Sequence, residues 1–380
     1  MTKPILICGA GIGGLTAGIA LRQRGFSARI FERAGKLEPA GAGITVQVNA
    51  MRVMQRLGLD GPIVAAGAVV DGGALRRSDG RVLRSMDQAN LAQQYGAPFV
   101  AIHRARLQDI LLNAFGIEHV TTAAAVTSVT TSSGGAAVTL ADGTTHDAAV
   151  VIGADGLRST VREALFGPEP LRAADQVSWR GVSPRSAAGA DHGGETWARG
   201  ARFGFVPISG EQVYWYAVMD KTAAPPESAD QHAVLIDAYR AWHAPIPALL
   251  RAADPAHVLR TELFDRPPTS VWGRDAATLL GDAAHPMTPN LGQGGCQAIE
   301  DAWVLARELA RDPSPAGLRR YEVARQTRTK RFVEESWRFG KLAQSSNPLL
   351  IAVRNFAIGL VPESMMQKSL AWSFDFDPDA

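Results

Sequence analysis

The period of the apolar positions changes along this chain, and the changes predict its elements. Ile5-Leu6-Ile7-Cys8 is an unbroken apolar run of strand type, and glycines follow it at once. Leu15, Ala17, Ile19, Ala20 and Leu21 then read as a helix that ends near Gly25. Ala28-Arg29-Ile30-Phe31 restarts a strand and stops at Glu32. Strand, turn, helix and strand in that order predict a parallel sheet with a right-handed crossover. Ala149-Val150-Val151-Ile152, followed by Gly153-Ala154-Asp155-Gly156, is a second buried-strand pattern. Thr278-Leu279-Leu280, followed by Gly281-Asp282, is a third, and Ala298, Ala302, Leu305 and Leu309 recur after it at helical spacing. Ligands of open parallel sheets lie beyond the carboxyl ends of the strands, so these distant endings are expected to meet at one ligand.

Between the runs the pattern alternates. Turn signals at Ser133-Gly134-Gly135 and Asp142-Gly143 predict a β-meander over 126–152. Residues 202–219 alternate around Ser209-Gly210, which predicts an antiparallel hairpin. The expected organisation is a discontinuous Rossmann-like nucleotide domain (1–75, 98–170 and 270–330), a mostly antiparallel substrate domain (76–97 and 171–269) and C-terminal helices (331–380). The fold class is α/β.

Composition narrows the field. The 380 residues carry 39 Lys+Arg against 37 Asp+Glu, a net charge of +2 that provides no electrostatic footprint for nucleic acid. Two cysteines, Cys8 and Cys296, make neither a disulfide framework nor a thiolate metal site, so a reducing, cytoplasmic setting without metal is expected. Residues 5–21 carry no charge, but five glycines and the lack of a small-residue cleavage site argue against a signal segment. The apolar run at 349–353 is broken by Arg354. No stable membrane insertion is expected.

Gly9-Ala10-Gly11-Ile12-Gly13-Gly14 satisfies G-x-G-x-x-G after a strand and at the opening of a helix. Glycine there permits a tight turn and close approach to a pyrophosphate, while the helix start contributes roughly half a positive charge. Glu32 stands where such folds place the acceptor for a ribose hydroxyl. An acid at that position argues against a 2′-phosphate on this nucleotide. No second G-x-G-x-x-G follows a strand, so a separate pyridine-nucleotide domain is not expected.

With Asp155-Gly156 and Gly281-Asp282-Ala283-Ala284-His285-Pro286 added, the sequence resembles the flavoprotein aromatic hydroxylases of the p-hydroxybenzoate hydroxylase type over residues 1 to about 310. Within that family it is most similar to the salicylate- and urate-hydroxylating members. The resemblance implies an FAD-dependent, NADH- or NADPH-dependent monooxygenase. Such an enzyme hydroxylates an aromatic or heteroaromatic small molecule with O₂ through a flavin C4a-hydroperoxide. It also implies roles. Gly9, Gly11, Gly13 and Gly14 would cradle the FAD pyrophosphate, with Glu32 on the ribose and Arg33 beside it. Gly43 and Ile44 would lie along the flavin, Arg104 would contact FAD, and Val126 would meet the adenine. Asp155 and Gly156 match the motif tied to FAD and the nicotinamide nucleotide, and Asp282 would take a ribityl hydroxyl. Pro289, Gly292, Gly294 and Gly295 would run against the isoalloxazine. His285, Cys8 and Cys296 read as structural.

Arg202, Tyr214 and Tyr216 alternate on the hairpin and are the candidate catalytic residues: Arg202 to hold an anionic group, Tyr214 to relay a proton. Alternation leaves open whether that face points inward or leaves Arg202 in solvent. Arg202 and Tyr214 match positions used by the urate-hydroxylating branch, while Ser178 replaces the Asn of that branch and puts urate in doubt. Two other readings keep the fold: an epoxidase or polycyclic-modifying oxygenase, and a non-catalytic FAD-fold binding protein.

Overall fold

The computed structural model describes residues 3–37, 42–189 and 192–380, apart from the side chains at 363, 364 and 366–368. Ile5–Cys8, Ala28–Phe31, Val150–Gly153 and Ala277–Leu279 form the heart of a six-stranded sheet. Ile5–Cys8 pairs in parallel with Val150–Gly153 and with Ala28–Phe31, and Ala277–Leu279 adds in parallel beyond Val150–Gly153. The register puts Cys8 opposite Gly153 and Gly153 opposite Leu279. The three predicted endings therefore stand level at one edge of the sheet.

That edge can form because Gly9 has φ +108, and a Cβ there would sit 2.5 Å from the Ala154 carbonyl oxygen. Only glycine lets the two turns pack together at this point. The helix Ile12–Gln23 follows and is buried along most of its length. The meander is Val126–Ser132, Gly135–Leu140 and Thr145–Ala148, a separate three-stranded sheet.

The second large sheet has seven strands in the order Leu259–Asp265, Arg172–Pro184, Gln212–Asp220, Ala201–Pro207, Gly194–Trp197, Gly72–Arg77 and Val82–Asp87. All neighbours are antiparallel except Gly194–Trp197 with Gly72–Arg77. The hairpin pairs Phe205 with Trp215 as its alternation requires. One face of this sheet carries Trp179, Phe203 and Trp215, all fully buried. Tyr239, from the loop after the helix Gln231–Ala238, packs edge-on to Phe203.

Two boundaries differ from expectation. Gly72–Arg77 is a strand of the seven-stranded sheet, so a boundary after residue 75 cuts through it. Pro315–Ala343 is one helix, so a boundary after residue 330 falls inside it. Loop signals were absent at both places because strand and helix run straight across.

Behind the edge lies a buried ionic cluster. Arg325 donates to Asp301, Glu300 and Gln297, each at 2.6 Å. Asp301 also accepts from the Gly281 N–H at 3.0 Å and pairs with His285 Nε2 at 2.5 Å. Burial alone would raise the Asp301 carboxyl, but His285 and Arg325 more than offset it and hold the group down from 3.8 to about 2. A depressed carboxyl of this kind contributes stability that is complete above its ordinary value and is lost as pH falls through the folded value. Asp301→Asn is expected to cost about 3–5 kcal/mol at neutral pH, because it leaves Arg325 under-compensated in the interior. In acid titrations followed by circular dichroism, the wild type should lose stability between pH 3.8 and about 2, and the variant should lack that component.

Candidate active site

A cavity of about 630 Å³ opens between the sheet edge and the second large sheet. Gly11, Gly13 and Gly156 line it from the nucleotide turns, and Gly43, Ile44 and Arg104 from the adjoining small sheet and the helix start after it. Asp282, Pro289, Gly292, Gly294 and Gly295 line it from the turn and helix start after Ala277–Leu279. Arg202, Tyr214 and Tyr216 line it from the hairpin.

Gly9 and Gly14 lie beneath the turn rather than on the wall: a Cβ on Gly14 would collide with the Gly9 carbonyl. Glu32 stands at the far end of the same turn, where its carboxylate accepts from the Ala10 N–H at 2.8 Å and the Ala34 N–H at 2.9 Å. Arg33 is exposed beside it. Val126 is half-buried on the segment whose Ala124 N–H bonds the Glu32 carbonyl. Asp155 lies just behind this wall. Its oxygens accept from Ser159 Oγ and the Val161 N–H, which fastens the start of Thr160–Phe166. Of that pair, Gly156 alone faces the cavity.

The walls fit a flavin adenine dinucleotide. A Cβ built on Gly11 meets nothing within 4 Å, so space is open above the turn. The helices Ile12–Gln23 and Gly294–Arg311 begin without a side-chain cap and without an acid in the first turn, leaving N–H groups unclaimed. Asp282 is open to the cavity, and its oxygens accept no hydrogen bond from the described residues. It is nonetheless enclosed enough that burial pushes its carboxyl up from the ordinary value, against the pull of His285 and Arg104. Among the described residues no cluster of His, Cys, Asp or Glu could hold a metal ion. Cys296 is buried, its thiol pushed by that burial up to about 12.

The hairpin face points inward. Arg202 is 2% exposed, so the alternative of a solvated guanidinium is excluded. Its Nη1 donates to Glu195 at 3.3 Å and its Nη2 to Asn290, while its buried Nε has no partner. Asn290 in turn donates to Thr288 Oγ1 at 2.9 Å and to the Ser336 carbonyl at 2.8 Å. The guanidinium thus bolts the substrate sheet to the Pro289–Leu291 turn. Tyr214 and Tyr216 lie with ring centroids 6.0 Å apart. Burial raises the Tyr214 phenol, opposed by Arg180, and raises Tyr216 well above the ordinary value with help from Glu195. Both stay protonated at neutral pH and present hydrogen-bond donors.

Sequence reasoning missed Arg180 and Glu195, which also line the cavity. The signal was there for Arg180: Val177-Ser178-Trp179-Arg180 alternates just as the hairpin does, with Val177 and Trp179 fully buried. Ser178 faces the cavity on the same stripe.

Fold and cavity together define a class, the flavin-dependent oxygenases that pair a dinucleotide domain with a substrate sheet. A family model described as an FAD binding domain matches residues 2–336, and the chain belongs to that family. It is 40% identical over 376 residues to the aurachin C monooxygenase/isomerase of Stigmatella aurantiaca, covering 98% of each chain. It is 32% identical over 368 residues to the 2-heptyl-3-hydroxy-4(1H)-quinolone synthase of Pseudomonas aeruginosa, covering 96% of each. Among solved structures, Klebsiella pneumoniae HpxO complexed with FAD and uric acid superimposes with a TM-score of 0.91 at 28% identity, over 98% of this chain and 96% of that one. The protein is an FAD-dependent monooxygenase, with NAD(P)H the usual reductant of the family.

The closeness of the walls is itself testable. A Cβ on Gly43 would drive into the Tyr214 ring, whereas one on Gly61 meets nothing. Gly43→Ala should destabilise the protein by about 1–3 kcal/mol through overpacking. Gly61→Ala, in the helix Asp60–Ala66, should be neutral or stabilising by up to about 1 kcal/mol. Thermal denaturation of the two variants reads the difference.

Proposed function

We propose that the substrate is a neutral bicyclic heteroaromatic of the 4-quinolone type bearing an apolar substituent, hydroxylated on its electron-rich ring. The carrying observation is the charge balance on the substrate sheet. Arg202, the cation expected to hold an anionic group, is already matched by Glu195 and Asn290. A benzoate-type carboxylate would have to displace a buried ion pair, at the cost of leaving Glu195 uncompensated. Tyr216 is itself hydrogen-bonded to Glu195, so the remaining polar groups are the Tyr214 hydroxyl and Arg180, which makes no hydrogen bond or ion pair with the described residues. They suit a ring carbonyl oxygen, on which a cation stabilises the enolate-like charge that makes the adjacent carbon nucleophilic. Val206, Val218, Leu263 and Phe264 supply apolar wall for a substituent. The names of the two relatives above, one of them a heptyl-quinolone synthase, support the same reading.

Bound along the Gly11–Gly13 turn and the Gly292–Gly295 segment, FAD would supply reducing equivalents and the activated oxygen. Asp282 would accept from a ribityl hydroxyl and Glu32 from the adenosine ribose. The N–H groups at the start of Gly294–Arg311 would face the flavin ring and favour negative charge on it. Arg180, Tyr214 and Tyr216 would hold the substrate across the cavity from that segment, with the apolar wall keeping water away.

A screen of 2-alkyl-4-quinolones, urate, salicylate and aminohydroxybenzoates for stimulated NADH or NADPH oxidation, coupled to product mass, tests the reading. Alkylquinolones should stimulate oxidation and yield a product heavier by one oxygen atom. Urate or a benzoate as the preferred substrate, with quinolones inert, would overturn it. In the same assay Arg180→Met should lower kcat/KM by about tenfold to a hundredfold, the worth of one charged hydrogen bond at ~1.5–3 kcal/mol. Flavin content should be unchanged in that variant, since the side chain faces substrate and not cofactor.

A further inference from the structure

The helix Pro348–Leu360 is built inside out. Leu349, Leu350, Val353, Phe356 and Leu360 are 57–71% exposed, a single apolar stripe turned away from the protein. The one charged residue of the helix, Arg354, is buried. Its Nη1 donates to the Leu342 and Ala343 carbonyls at 3.0 and 2.9 Å, and its guanidinium lies 4.7 Å over the Trp197 ring. From the neighbouring strand Val82–Asp87, Arg84 donates to the Ile358 carbonyl at 2.9 Å and to the Val361 carbonyl. Arginine-to-carbonyl bonds thus hold the helix, while most of its large apolar side chains face outward. Soluble surface helices turn the other way.

The stripe continues to the cavity. Arg84 and Met86 lie two apart on one strand, in unbroken register with Leu75 and Gly73, and so share a face. Arg84 grips the helix and Met86 lines the cavity. Met86 at 36% exposure and Leu342 at 50% extend the apolar surface on either side of the helix.

We propose that this face docks on a lipid bilayer, with Pro348–Leu360 lying in the interface and the cavity rim beside it receiving an apolar substrate from the lipid. The dimensions favour a bilayer over a second copy. A helix of 13 residues is about 20 Å long, and at about 10 Å wide it presents a strip of roughly 200 Å². A stable protein interface needs about 800 Å² from each partner. An interfacial helix needs only its own apolar face, because acyl chains close around it to a depth of about 5–10 Å. The exposed face carries no charge to desolvate, and Lys341, exposed next to Leu342 at the end of Pro315–Ala343, stands at its margin where an anionic headgroup can pair with it. Among the described residues no helix is long and apolar enough to cross a membrane, so the attachment is peripheral.

The delivery of substrate rests on the alkylquinolone reading above, whereas the docking does not. The test is sedimentation of the FAD-loaded enzyme with phosphatidylcholine–phosphatidylglycerol vesicles, without substrate, alongside the double variant Leu350→Ser/Phe356→Ser. The wild type should pellet with the vesicles, and the variant should partition at least about tenfold less, as expected for two large apolar side chains withdrawn from lipid. The variant should keep its flavin spectrum and its turnover of a short-chain, water-soluble substrate. Wild-type enzyme that stays in the supernatant, or a variant that binds equally well, overturns the proposal. So does a wild-type dimer, seen by light scattering, that the double variant dissociates, because the stripe would then belong to a second copy. A failed quinolone screen leaves vesicle binding unaffected, so the two readings fail separately.

Discussion

A fully buried guanidinium organises this enzyme. Arg325 comes from the long helix Pro315–Ala343, of which sequence patterning anticipates only the part after residue 330, yet it engages three side chains of Gly294–Arg311 at once. Charges removed from water are costly unless every donor finds an acceptor in good geometry. Glu300 meets that demand with Arg325, Arg328 and Asn49, and Asp301 meets it with Arg325, His285 and the Gly281 N–H. The arrangement admits little slack. The turn carrying Asp282 and the helix start carrying Gly294 and Gly295 are therefore placed from behind, by ions that never reach the cavity.

From the front, the same segment is held by Arg202 through Asn290. Two guanidiniums on opposite sides thus fix one short stretch of chain, 281–295, on which the proposed flavin contacts converge. The substrate sheet is consequently not an independent lobe over the nucleotide domain. Its hairpin has a direct polar link to the Pro289–Leu291 turn, and Tyr214 lies so near Gly43 that no side chain fits between them. The two buried phenols remain neutral donors in this setting.

Much of this was legible in the residues. The parallel strands announced themselves as apolar runs ending in glycine, because a strand covered on both faces has no polar alternation to hide it. The hairpin was equally plain, since one buried face imposes a period of two. What alternation could not say was which face is inward, and the packing of Trp215 and Phe203 on the other side decides that. The ionic cluster was illegible for a different reason. Gln297, Glu300 and Asp301 look like the polar side of an ordinary helix until Arg325, brought in by a chain reversal, buries them. The second role of Asp155 was hidden for a related reason: a carboxylate beside a glycine turn also serves as a local cap, here for Ser159. The domain boundaries failed where strand or helix crossed an expected border without any break in pattern.

The hairpin has a bearing on how such an enzyme can diversify. Tyr214 and Tyr216 look into the cavity because each arm keeps strict registry with its neighbours, Val182 opposite Tyr214 and Arg180 opposite Tyr216. Exchange of one side chain for another along that stripe remodels the chamber while the scaffold stands still. An added or deleted residue in the second arm would swing Trp215 into the chamber and turn the tyrosines toward the protein's packed interior. Lineages exploring new chemistry on this framework are thus confined to substitution here, with length changes left to the turn at Ser209-Gly210, where the added chain meets only solvent.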